Sequence, residues 1–197
     1  QGIMAADRSL GALFDYLTAH YSEEEYIVQV FSDHGVPIYD EKPDILSENQ
    51  VGAALMMRGA GIPALGFVEE LTSAVDLYPI MGHHAGFAVP DYVDGHLPKA
   101  LGGEGREYAV SASVYPGQTY KLALRTKTHE FRLESKEAVD EDGTVDLSHA
   151  ALGLYTRGEA RRAETDASLW TYFLDIAREL TSSFNDEGHH WPDMRAA

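Results

Sequence analysis

Apolar residues Leu10, Leu13, Phe14 and Leu17 recur at the i, i+3, i+4, i+7 spacing of one helix face, so a helix is predicted from Asp7 to about His20. Asp7 suits its first turn. The acidic run Ser22-Glu23-Glu24-Glu25 breaks it. Tyr26 to Phe31 is then almost continuously β-branched or aromatic, the pattern of a strand buried on both faces. It stops at Ser32-Asp33-His34-Gly35, polar residues at a strand's carboxyl end, where open α/β sheets place their ligands. Val36 to Gln50, with Pro37 and Pro43, reads as a loop. Ala53 to Met57 is a second buried strand, closed by Arg58-Gly59-Ala60-Gly61-Ile62-Pro63. Residues 68–73 read as extended, and Asp76 to about Ala85 as a helix with Pro79 in its first turn.

The pattern then changes period. Tyr108 to Val114, Thr119 to Thr126 and Glu130 to Glu134 alternate, separated by Pro116-Gly117 and Lys127-Thr128, which predicts an antiparallel meander. Asp140-Glu141-Asp142-Gly143 reads as a turn into Val145 to Leu147. Ser168 to Phe184 carries Leu169, Tyr172, Phe173, Ile176 and Leu180 on an amphipathic helix capped by Ser168. The expected architecture is therefore α/β. A parallel sheet with helices occupies 1–105, and a small antiparallel subdomain with a packing helix occupies 106–197.

Composition narrows what such a chain does. Its 197 residues are 44% hydrophobic, a globular composition. No apolar run approaches the roughly 20 residues of a membrane span. Asp+Glu 32 against Lys+Arg 15 leaves a net charge of −17, which repels phosphate backbones and anionic lipid and argues against nucleic-acid or membrane-surface partners. With an anionic substrate, that charge calls for a local positive centre, and a bound divalent cation is the usual one. The absence of Cys removes disulfides and thiolate chemistry.

In order along the chain, Asp7-Arg8-Ser9-Leu10-Gly11, the strand end Phe31-Ser32-Asp33-His34-Gly35, and Leu55 to Pro63 resemble the sulfatase family. Val75-Asp76-Leu77-Tyr78-Pro79, Val93-Asp94-Gly95-His96-Leu97-Pro98, and Tyr115-Pro116-Gly117 with Tyr120 to Arg125 continue the resemblance over residues 5–157. It implies the C-terminal portion of an alkaline-phosphatase-like hydrolase that cleaves sulfuric esters. The partner it implies is a missing N-terminal half carrying an Asp-Asp metal pair and a formylglycine nucleophile. That nucleophile arises within Cys/Ser-x-Pro-x-Arg, a motif this sequence lacks. By itself the chain is expected to be inactive. Raw apolar surface left by the missing half would favour homo-oligomers.

By resemblance Asp33 and His34 are metal ligands. Calcium is the implied metal, although an imidazole donor suits manganese or zinc better. Lys42, in the loop that follows, is the implied contact to a sulfate or phosphate ester. Two alternatives stay open: a phosphoryl-transferring or phosphonate-hydrolysing relative, and a non-catalytic acidic assembly module. His83-His84 reads as packing, since adjacent helix residues face different ways. Glu187-Gly188-His189-His190-Trp191 reads as a terminal segment able to pick up stray metal. Asp140 to Gly143 lacks the Gly and Glu spacing of an EF-hand loop.

Overall fold

A computed structural model describes residues 2–36, 44–158 and 162–182. The chain divides into two units. The first takes Gln1–Gly35, Ala53–Glu70 and Ala74–Gly105; the second takes Val36–Gly52, Leu71–Ser73 and Arg106–Ala197.

In the first unit, helix α1 (Gly2–His20) starts five residues before the predicted Asp7 and ends where predicted. Strands β1 (Ile27–Phe31) and β2 (Leu55–Gly59) pair with each other, Ile27 opposite Gly59 and Phe31 opposite Leu55. The pair is antiparallel, which corrects the parallel pairing expected for these strands. A parallel return needs a crossover that packs back on the sheet, usually a helix. Among the described residues of the intervening chain the only helix is the four-residue α2 (Glu48–Val51), which is assigned to the other unit. Gly59 closes the ladder at φ +126, where an added Cβ would lie 2.0 Å from the Tyr26 carbonyl oxygen, so only glycine fits. Helix α3 (Leu77–Ala85) follows a single 3-10 turn at Ala74–Asp76, and buried Asp76 accepts a hydrogen bond from the His96 amide at 2.8 Å. The stretch 68–73 forms no strand.

The second unit is a four-stranded antiparallel meander in the order β3 (Ala109–Ser113), β4 (Thr119–Arg125), β5 (His129–Ala138) and β6 (Ala151–Thr156). β5 runs four residues past the predicted Glu134, and β6 was not anticipated. Val145 and Leu147 are buried in the core without forming a strand. Helix α4 (Ala167–Leu180) is capped by Asp166, not Ser168; its carboxylate accepts the Ser168 and Leu169 amides. Phe173, Leu174 and Ala177 of α4 bury against Leu122, Leu124, Phe131 and Leu133. Phe131 stacks on Phe173 with centroids 6.0 Å apart and meets Trp170 edge-on at 6.1 Å. Strand alternation puts Arg125, Glu130 and Arg132 among the remaining positions, and these hold the segment Asp44–Leu46. Among the described residues no helix is long and apolar enough to cross a membrane.

Candidate metal centre

β1 ends at Phe31, and the next residue continues its attachment to the neighbouring strand. The Ser32 amide donates to the Ala54 carbonyl at 3.1 Å, and the Ala54 amide donates to Ser32 Oγ at 2.8 Å. Sequence reading missed Ser32 as a fastening, because a Ser at a strand end carries no periodic signal. Asp33 and His34 leave the strand immediately afterwards, with both side chains exposed. The His34 amide donates to Asp33 Oδ1 at 2.9 Å, and His34 Nδ1 lies 2.6 Å from the Gly35 carbonyl oxygen. A carbonyl only accepts, so Nδ1 is the donor in this contact, and Nε2 is the ring nitrogen that could coordinate. Nε2 lies 3.6 Å from Asp33 Oδ2.

This is a usable pair of donors. A carboxylate oxygen and an imidazole nitrogen stand side by side at an open strand end. The Gly35 carbonyl orients the ring through its other nitrogen, as partners of metal-bound histidines do. A cation touching both would have open positions for further ligands. Among the described residues no group of three or more His, Asp or Glu side chains is placed to hold a metal. Lys42 lies outside the described residues, as does the Glu187 to Trp191 segment.

A second polar cluster sits elsewhere in the first unit. Glu23, Glu24, Gly61, Pro63, His83 and His84 contribute to a cavity of about 440 Å³. The His rings meet edge to face at 4.9 Å. Burial, and then the neighbouring His83, depress the His84 pKa, and His84 Nε2 is buried without a hydrogen-bond partner. Glu23 is engaged by Arg58 at 3.0 Å. The turn at Asp140–Gly143 is closed by the Gly143 amide on the Asp140 carbonyl and the Thr144 amide on Asp142 Oδ1, the arrangement of a turn.

Residues 1–87 match the family model described as Sulfatase. That stretch, which holds α1, β1, Asp33, His34 and all of α3, is sulfatase-like. The fold agrees. Over 81% of its length the chain superposes on a sulfatase candidate from Bacteroides thetaiotaomicron VPI-5482 with a TM-score of 0.56 and 19% identity. Over 95% of its length it superposes on BT4656, solved in complex with its substrate D-glucosamine-2-N,6-O-disulfate, with a TM-score of 0.66 and 18% identity. The chain spans only 36% and 40% of the length of those two structures. No curated protein matches the sequence. The sulfatase-like α/β class expected from the sequence therefore stands, with its first strand pair reversed.

Proposed function

We propose that this chain is the C-terminal portion of a metal-dependent sulfuric ester hydrolase, to which Asp33 and His34 contribute part of a divalent-cation centre. The observation that carries the reading is the placement of Asp33 Oδ2 and His34 Nε2 3.6 Å apart at the open end of β1, within the sulfatase-like stretch. When bound, the cation would supply Lewis-acid compensation for charge on the sulfuryl oxygens. The chain's own residues do the rest of this half. Asp33 presents an anionic oxygen. His34 presents Nε2, with Nδ1 donating to the Gly35 carbonyl. Ser32 keeps the pair at the strand end. Calcium is the first ion of this proposal, and the imidazole donor keeps manganese and zinc open.

Lys42 belongs to the same proposal as an ammonium that contacts the anionic ester. The nucleophile and the remaining ligands are assigned to polypeptide beyond this chain, because the sequence has no Cys and no Ser-x-Pro-x-Arg. The disulfated glucosamine of BT4656 makes a sulfated sugar a reasonable first substrate class to assay once those parts are supplied.

Titration of the purified chain with Mn²⁺, followed by paramagnetic line broadening, tests the donor pair. The His34 ring and Gly35 amide signals should broaden before any others, and the Asp33→Asn/His34→Gln double variant should lose that selectivity. Earlier broadening at Asp140–Asp142 would overturn the assignment. The same preparation should turn over neither aryl sulfate nor aryl phosphate; measurable turnover of either would place the nucleophile inside the chain.

A further inference from the structure

The two units differ in how much core they own. The second buries a continuous cluster of aromatic and aliphatic side chains around Phe131 and Phe173. Among the described residues of the first unit, Ile80 is the only buried aliphatic or aromatic side chain apart from Pro79 and Pro98. Helix α1 runs for 19 residues without a buried position, and β1 has none either. Yet the composition of β1, Ile-Val-Gln-Val-Phe, is that of a strand covered on both faces. Ile3 and Met4 of α1 stay 87% and 67% exposed, and Phe31 and Met56 of the strand pair 55% and 56%. Tyr26 Oη and Gln29 Nε2, on and beside β1, are buried without a hydrogen-bond partner. Polar atoms seldom remain so in a finished core. A helix and a sheet each need a second layer against their apolar surface, and here that layer is incomplete.

We propose that the apolar surface of α1 and of the β1–β2 pair is an obligate docking face whose occupant is the polypeptide completing a sulfatase-type fold. Two observations select that occupant. The chain superposes over 95% of its length on BT4656 but fills only 40% of it, so most of the matching fold is outside this chain. The homo-oligomer that the same apolar surface would otherwise favour brings a net charge of −17 against −17, which opposes self-association. The proposal rests on the hydrolase reading above and adds the surface through which its two portions join. It also implies that the first unit opens readily until it is covered.

Hydrogen exchange with sedimentation velocity tests it in two polypeptides. One is the chain alone; the other is the chain joined to the part of BT4656 outside the match. Alone, the chain should sediment as a monomer, and amides of α1, β1 and β2 should exchange about 100-fold faster than those of β4, β5 and α4. In the fusion they should slow at least about tenfold. Ile3→Glu, Phe31→Glu or Met56→Glu provides a readout independent of the fusion, and should leave the thermal midpoint of the isolated chain within about 2 °C. Strong protection in the isolated monomer, protection only within a dimer, unchanged exchange in the fusion, or a large loss of midpoint from those substitutions would each overturn the proposal. Failure of Mn²⁺ to select His34 would instead overturn the hydrolase reading and leave these exchange rates unaffected.

Discussion

That Asp33 and His34 stand side by side just past β1 was legible from sequence because it is local: neighbours in the chain, directly after an apolar run, stay close wherever the chain goes. What sequence did not contain is how the ring is oriented. The short contact from His34 Nδ1 to the Gly35 carbonyl leaves Nε2 as the nitrogen beside Asp33 Oδ2, and it depends on the backbone path after the strand. His84 shows the opposite case. Its packing role was expected from helix spacing, but only the fold buries Nε2 without a partner. Burial, and then His83, depress its pKa. The unfolded chain therefore takes up a proton first, and the folding free energy that this group contributes is present above about pH 6.5. It declines as pH falls from there toward the lower value in the folded state. In an NMR titration His84 should titrate below the ordinary histidine range, and His83→Ala should move it part of the way back.

Among the elements, the meander was readable because period-2 alternation and Pro-Gly or Lys-Thr turns specify hairpins within a few residues. β1 and β2 were each found, but not their relative direction, since two continuous apolar runs pair either way and the connection decides. Nor does sequence reveal that the segment from Asp44 to Leu46 is held by charges of β4 and β5. The Arg125 and Arg132 guanidiniums both donate to the Leu46 carbonyl. Glu130 binds Arg125 at 2.8 Å and Arg132 at 2.6 Å, and Arg132 also pairs with Asp44. Burial works against ionised Asp44, but the Leu46 amide, Arg132 and Lys121 outweigh it and hold its carboxyl below the ordinary range. Burial likewise opposes the Arg125 charge, which Glu130 supports. Glu130→Gln leaves two guanidiniums facing each other with little water. It should cost about 3–5 kcal/mol in denaturant unfolding, whereas Arg125→Met combined with Glu130→Leu should cost clearly less. Equal costs would show that the network is not energetically coupled.

At the scale of the whole chain, stability should be distributed as unevenly as burial. Phe173 fills the space between α4 and the sheet of the second unit and is 1% exposed. Phe173→Ala should lower the stability of that unit by about 3–5 kcal/mol, with a large drop in thermal midpoint. Met56→Ala, on the open strand pair, should change the same midpoint by an amount close to error, since substitutions at uncovered positions usually stay within about 0.5 kcal/mol. Comparable losses from the two would mean that the first unit has a core of its own.

Sequence alone determined what depends on near neighbours: the amphipathic stripes of α1 and α4, the alternation of β3 to β5, the acidic balance, and the adjacency of Asp33 and His34. Those features follow from side-chain periods and covalent connection, which hold in any fold. Tertiary structure decided the antiparallel direction of β1 and β2, the addition of β6, the Arg-Glu-Asp grip on Leu46, and which unit owns a core. Each of these joins residues distant along the chain, and no local preference chooses among the ways such distant segments can meet.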